Sequence, residues 1–472
     1  MSGSSSVVNT VRENLPHSVG RDTTRYVVAA GLAFSGIFFL GITALLLRLF
    51  AEDLRVAWII VGVPAALSFA CFSSLALDRA GRASILTSLL AVAVAVYLAE
   101  FAIQLRLLRP EAPVVARLPA DADRRSVLEV VNALRSEGKN AYPQAFPIAQ
   151  FQHRSDGQAT ALGGLLPLGG ISRVTTVYCN ETGRYLVYDA DEFGCNNPRG
   201  IWPQRQLDVL AVGDSFAQGA CVDVDKSFMA LIRKALPRTL SLGMTANGPL
   251  TMLASLREYL PGVRPRTVLW FLFEGNDVEM DLPFERLQPL LTGYLVPGFS
   301  QRLAERQTEI DARLKSWLAA MGDLPLRKVD PLVDHSAGAR FGPADVALLH
   351  GLRNALSLPL QSYAGEYALL SQILAQAKAL VDQRGAALEL VYLPDKLRYV
   401  SYIGRARREQ QHARVLAIAA RVGIPVIDLV PAFAAAPNPA ASLFIYHYTD
   451  AGNALVAREV LQAIAPDYDE RN

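Results

Sequence analysis

Apolar positions along this chain follow two regimes. Residues 26–47 and 56–77 carry no charge, and residues 84–105 carry only Glu100. Each run is about long enough to cross a hydrocarbon core of ~30 Å at 1.5 Å per helical residue. The pattern predicts three transmembrane helices over residues 26–105, and Pro64 in the second run is tolerable in a membrane helix. Past residue 207 the runs shorten. Strand-like stretches at 209–212, 239–242, 267–273, 388–393 and 425–429 alternate with helical patterns at 227–236, 250–260, 363–383 and 406–422, and a helix at 451–463 closes the series. Such alternation predicts a three-layer α/β/α domain with a parallel sheet of about five strands, whose carboxyl ends share one rim. Between the regimes, residues 106–206 read as a linker and ancillary segment broken by Pro110, Pro113, Pro119, Pro143 and Pro147. One helix is expected over 124–136. A β-hairpin is expected within 171–197, turning at Asn180-Glu181-Thr182-Gly183.

Charge adds an address. The net charge of +2 gives no reason to expect nucleic acid or another polyanion. Arg12, Arg21, Arg25, Arg79 and Arg82 outweigh Arg48 and Arg55, which favours a cytoplasmic, disordered, Ser-rich tail over 1–25 and an outer face after the third span. Arg106 and Arg109 oppose that bias. The expectation is a bacterial inner-membrane protein, multi-pass, with its catalytic domain in the periplasm. An oxidising compartment would permit a disulfide among Cys179, Cys195 and Cys221. Cys179 with Cys221 is the expected pair, because Cys221 could pin an upstream segment beside Ser215; three unpaired core thiols are the other reading.

The candidate chemistry lies at strand ends. Val209 to Val212 run into Gly213, and the chain then presents Asp214 and Ser215 at a tight corner, where open α/β sheets hold a nucleophile. Gly243 follows the second strand, Gly275-Asn276-Asp277 the third, and His447 precedes the last helix. In this order VGDSF, LGMTANGP, FEGND and HYTDAGN resemble the blocks of the SGNH/GDSL hydrolase superfamily, from about 207 to 472 with an insertion at about 278–360. The lead-in YDADEFGCNNP resembles the corresponding segment of membrane-anchored members. The resemblance implies Ser215 as nucleophile and His447 as base. It also implies an oxyanion hole of the Ser215 and Gly243 backbone N–H groups and the Asn276 amide.

One part is missing. Family members usually carry an aspartate two or three residues before the histidine, where this chain has Ile445 and Phe444. Asp428, Asp395 and Asp450 are the substitute candidates, Asp450 reading better as a helix N-cap, and a Ser–His dyad is the alternative. Asp214 and Asp277 are expected to hold their loops by hydrogen bonds. Tyr294 and Trp317 in the insertion are either sugar-stacking residues or part of a packed helical cap. His17, His153, His335, His350 and His412 show no metal-ligand spacing, so neither metal nor cofactor is expected. The expected activity is a membrane-anchored serine esterase or O-acyltransferase acting on O-acetyl groups of a cell-envelope polysaccharide, with a membrane acyl-donor protein as partner if it transfers. A lipolytic esterase on membrane lipids and a catalytically silent scaffold are the alternatives.

Overall fold

The computed structural model describes residues 19–49, 54–104, 121–145, 164–321, 346, 349, 351–352, 363–400 and 402–466. The chain divides into two compact units, residues 1–109 with 341–362 and residues 110–340 with 363–472. The tail expected over 1–25 lies largely outside the described residues, as do His17, His153, His335 and His350.

The amino-terminal unit contains α1 (Val19–Leu49), α2 (Leu54–Ser74) and α3 (Arg79–Gln104). Two stretches, Tyr26–Arg48 and Arg79–Ile103, are long and apolar enough to cross a membrane; in α2 the described apolar stretch, Val61–Ser74, is shorter. Phe34, Phe69 and Leu90 turn outward, an exposure of large apolar side chains that water disfavours and lipid does not. Close helix contact depends on Gly36, where a Cβ would come within 2.9 Å of the Phe72 ring. Ser68 Oγ donates to the Gly36 carbonyl at 2.9 Å. The single acid of the third apolar run also has partners. Glu100 is fully buried and accepts the backbone N–H groups of Gly351 and Leu352 at 2.8 and 2.6 Å.

The second unit begins with α4 (Val127–Ser136), started by a capping box in which Ser126 and Glu129 satisfy each other's backbone donors. Its apolar face, Val127, Val130 and Val131, packs on Ala141 and Val177. Those residues belong to a three-stranded sheet of β1 (Ala141–Pro143), β2 (Thr175–Val177) and β3 (Val187–Asp189). Strands β2 and β3 pair antiparallel, Thr176 opposite Tyr188, and form the expected hairpin. The short β1, parallel to β2, was not legible because a three-residue strand ending in proline carries almost no periodic signal.

The main sheet contains β4 (Gln206–Val212), β5 (Thr239–Ser241), β6 (Arg264–Phe273), β7 (Ala387–Leu393) and β8 (Val426–Asp428), all parallel in the order β5-β4-β6-β7-β8. Helices α5 (Ser215–Gln218), α6 (Phe228–Ala235), α7 (Pro249–Tyr259), α8 (Gln307–Met321), α9 (Ala364–Asp382), α10 (Tyr402–Val422) and α11 (Asp450–Ile464) accompany it. Alternation along β6 builds both faces. Val268, Trp270 and Leu272 join the core that contains α7, α9 and α10, whereas Leu269, Phe271 and Phe273 join the core that contains α6 and α11. The architecture is therefore a three-layer α/β/α domain.

The insertion packs where the sequence left stacking open. Tyr294 is fully buried, its hydroxyl donates to Glu258 at 2.6 Å, and its ring lies edge-on to Phe299 at 5.0 Å. It has no face to offer a sugar. Trp317, on α8, is partly buried against the same core. Most of the span 322–362 lies outside the described residues.

At the carboxyl end of β6, Glu274 is fully buried. It accepts Arg398 Nε and Nη2 at 3.0 and 2.6 Å, the Tyr392 hydroxyl at 2.8 Å and the Asp395 N–H at 2.7 Å. Arg408 donates to the Glu274 carbonyl at 2.6 Å and to Asp395, so one buried network fastens the loops after β6 and β7 to α10. Removing one partner strands a buried charge. Glu274→Gln is expected to cost about 3–5 kcal/mol, read as a lowered melting temperature of the full chain in detergent. An unchanged melting temperature would refute the assignment.

Candidate active site

Strand β4 delivers its last residue, Val212, to Gly213, and the close packing there explains the glycine. A Cβ on Gly213 would lie 2.6 Å from Ala217 Cβ and 3.0 Å from Phe271 Cβ. Asp214 then caps α5 by accepting the Phe216 N–H at 2.9 Å, which fixes the corner that carries Ser215. Ser215 and His447 are each 8% exposed, so the pair is enclosed but reachable.

His447 Nε2 lies 2.9 Å from Ser215 Oγ, and its Nδ1 lies 2.7 Å from Glu181 Oε1. The second carboxylate oxygen of Glu181 accepts the His447 backbone N–H at 3.0 Å. A carboxylate only accepts, so Nδ1 carries the proton and Nε2 is left as the acceptor for the serine hydroxyl. Burial opposes the imidazolium, but the charge and hydrogen bond of Glu181, with the charge of Asp214, hold His447 above its ordinary pKa. Burial also pushes the Asp214 carboxyl up to about 6, against the Phe216 N–H, His447 and the Asn276 side chain, which favour its ionised form.

The carboxylate on His447 Nδ1 is Glu181, and none of the three aspartates expected for that place stands there. Asp395 pairs with Arg408, and Asp428 accepts from or bonds His412 at 2.9 Å. Asp450 is the first residue of α11, its carboxylate 2.7 Å from Lys226, while the N-cap is Thr449. The dyad alternative falls with them. Glu181 sits on the hairpin turn, and the chain's only hint of its placement is two residues upstream. A disulfide joins Cys179 to Cys221, with the Cα atoms 5.1 Å apart; Cys195 is a buried free thiol.

Gly243 packs against α5. A Cβ there would come within 2.5 Å of the Ala217 carbonyl carbon and 2.6 Å of the Gln218 nitrogen, so no other residue fits. Its N–H, expected in an oxyanion hole, donates to Ser241 Oγ at 3.1 Å in this state. Asn276 follows β6 and is half-buried, with its amide oxygen unpartnered. Asp277 holds its own loop, as expected, by accepting the Phe273 N–H at 2.8 Å. Burial first, and then the neighbouring charges of Asp214, Asp281 and Glu285, push its carboxyl well up. Cys221 Sγ, a Glu181 oxygen and a His447 nitrogen lie within 4.8 Å of one another, but the sulfur is committed to the disulfide and two donors do not make a metal site.

Among solved structures, TesA aligns at 14% identity over 55% of this chain and 98% of its own, with a TM-score of 0.30. A member of the lipolytic protein G-D-S-L family from Veillonella parvula aligns at 12% over 54% and 96%, with a TM-score of 0.28. The lipase/acylhydrolase from Enterococcus faecalis aligns at 12% over 57% and 99%, with a TM-score of 0.29. The chain is similar to G-D-S-L lipolytic proteins. No family model and no curated protein matches it. At these identities and scores the chemistry has to come from the site itself.

Glu181→Gln keeps the shape but removes the charge that orients and stabilises the imidazolium. Ser215-dependent turnover should fall by about a thousandfold or more. Because Glu181 raises the His447 pKa, the acidic limb of the residual pH–rate profile should move to lower pH; a limb that stays or rises would exclude Glu181 as the acid. Asn276→Ala should lower kcat by roughly a hundredfold or more with little change in KM, and a near wild-type kcat would remove Asn276 from the site.

Proposed function

We propose that the chain is a membrane-anchored serine ester hydrolase or O-acyltransferase that works through an acyl-Ser215 intermediate. The observation that carries this reading is the continuous hydrogen-bonded line from Ser215 Oγ through His447 to Glu181. His447 Nε2 takes the hydroxyl proton as Oγ attacks the ester carbonyl carbon, and the carbonyl π electrons move to oxygen. The oxyanion would be met by the Ser215 N–H and the Asn276 amide, and by the Gly243 N–H if it turns from Ser241 Oγ. Collapse expels the alkoxide, which leaves with the proton from the imidazolium. Water, or a sugar hydroxyl in a transferase, then attacks the acyl-serine by the same route in reverse and returns Ser215.

Two stretches of membrane-spanning length support anchoring, and the arginine bias favours an outer, periplasmic second unit. Substrate choice rests on the resemblance of the sequence to membrane-anchored superfamily members, which favours O-acetyl groups on an envelope polysaccharide and, for transfer, a membrane acyl-donor partner. A second reading, lipolytic hydrolysis, is favoured by a specific feature. Met280, Phe284 and Leu287 follow Asn276 at helical spacing and are 57%, 44% and 70% exposed, and Tyr446 beside His447 is 72% exposed. The scaffold reading rested on a missing acid, and Glu181 supplies one.

The full chain in detergent is expected to hydrolyse p-nitrophenyl acetate and to be labelled at Ser215 by a fluorophosphonate, both lost in Ser215→Ala. Absence of Ser215-dependent turnover and labelling would refute the enzyme reading. A strong preference for long-chain esters would favour the lipolytic one.

A further inference from the structure

The turn that carries Glu181 is fastened largely to its own neighbours. Asn180 donates its amide to the Asp123 carbonyl at 2.9 Å and accepts the Gly183 N–H at 2.8 Å, and Asp123 N–H donates to the Gly183 carbonyl at 2.8 Å. None of these reaches the main sheet. Toward the main sheet, Tyr178 hydrogen-bonds Thr245 Oγ1 on one side of the turn. On the other side Arg184 pairs with Asp223, through a guanidinium that is 69% exposed and so contributes little. Further along, Gln218, three residues past Ser215, donates to the Tyr188 hydroxyl of β3 at 3.3 Å and its carbonyl accepts from Asn196 at 2.9 Å; nearer Glu181 itself are two more links. One is its contact with His447, and the other is the disulfide from Cys179, two residues upstream, to Cys221, six residues past Ser215.

The first link cannot do the positioning alone. Of its two bonds to His447, the one to Nδ1 is made to a ring that changes charge in every cycle, and the one to the backbone N–H at 3.0 Å ties Glu181 to the loop of the base, not to that of the nucleophile. The covalent link is independent of protonation. It is also adjacent to the chemistry: Cys221 Sγ, a Glu181 carboxylate oxygen and a His447 ring nitrogen lie within 4.8 Å of one another. Cys221 is held at φ +62°, a left-handed conformation that side chains rarely adopt, and Ala220 N–H donates to the Ser215 carbonyl at 3.0 Å, so the far end of the bridge is rigidly coupled to the nucleophile's turn.

We propose that the Cys179–Cys221 disulfide is the positioning element of the Glu181 acid, clamping the hairpin turn to the chain just past Ser215, so that full activity of this site requires the oxidised pair. The inference rests on the acyl-serine reading above. It assigns Cys179 and Cys221 as positioning residues, since neither touches a reacting atom. It also ties activity to an oxidising compartment by way of the acid.

The test uses the full chain in detergent, with EDTA present so that a freed Cys221 thiol cannot recruit a metal together with Glu181 and His447. Ser215-dependent ester turnover is measured in the wild type, Glu181→Gln, the pair Cys179→Ala/Cys221→Ala, and the triple variant. The paired alanines should lower kcat by about a hundredfold with KM little changed. In their background Glu181→Gln should cost far less than it does in the wild type. Wild-type turnover in the paired variant, or losses that simply multiply, would overturn the proposal. Should the paired variant not fold, the wild type is treated with dithiothreitol, which becomes its cyclic disulfide as Cys179 and Cys221 become thiols, and the same losses are expected. Titration of the His447 ring by NMR separates the two readings. Glu181 on the hairpin and Asp214 beside Ser215 both raise its pKa, so loss of the clamp should lower it whether or not the protein turns over ester. No turnover in the wild type would refute the enzyme reading alone, whereas an unmoved His447 titration would refute the clamp.

Discussion

The contact between Glu181 and His447 joins residues 266 positions apart, and the rest of the site is arranged around what that contact demands. A carboxyl group placed in a nearly closed site loses hydration, and that loss is offset only where its oxygens meet donors. Both oxygens are matched here, one by the imidazole Nδ1–H and one by the His447 backbone N–H. The same two bonds fix the ring's tautomer and its angle toward Ser215. Glu181, His447 and Ser215 thus stand in one hydrogen-bonded line.

Geometry of this accuracy needs a stiff frame. The parallel sheet supplies it through strands buried on both faces, with β6 contributing alternate large side chains to two separate cores. At the rim the frame becomes polar and remains buried. The Glu274, Arg398, Arg408 and Asp395 network ties the loop before Asn276 to the loop after β7, and Lys396 of that loop donates to the Ile445 carbonyl at 3.1 Å, two residues before His447. The loop after β7 carries no member of the triad, yet it braces two loops that carry site residues. The glycines serve the same end by removal of bulk: at 213 the end of β4 approaches α5 and β6, and at 243 the chain leaving β5 approaches α5, too closely for any Cβ.

The buried carboxyls behind the nucleophile show the cost of crowding acids in a dry place. Burial raises Asp214, Asp277 and Glu285, the last to about 7, and each partly recovers through backbone N–H groups that it caps or holds. Glu285 accepts the N–H groups of Gly248, Leu250 and Thr251 at 2.8, 2.8 and 3.1 Å and so closes the start of α7. These acids shape loops, while Glu181 is the carboxylate that bonds His447 beside the serine. In the amino-terminal unit, Glu100 is an acid of the same structural kind, buried among apolar helices and matched by two backbone donors.

Much of this was legible in the sequence because it is local or periodic. The five strands of the main sheet, the helices between them, the capped helix before β1 and the hairpin at Asn180 to Gly183 all follow from patterns within a few residues. Ser215, Asn276 and His447 stood out because strand ends and loop motifs are local too. What only the tertiary structure decided is pairing at long range. Asp428, Asp395 and Asp450 lay near His447 or at strand ends, and each proved to have another partner, His412, Arg408 and Lys226 in turn. Glu181 had no local mark beyond its place on a turn, and its role comes from the hairpin being folded back and bonded to Cys221. Tyr294 likewise stood open between sugar stacking and a packed cap until the fold buried it. A sequence fixes which residues bear chemistry and which elements hold them, but the partner of a buried charge is chosen by the fold, since that partner can come from anywhere in the chain.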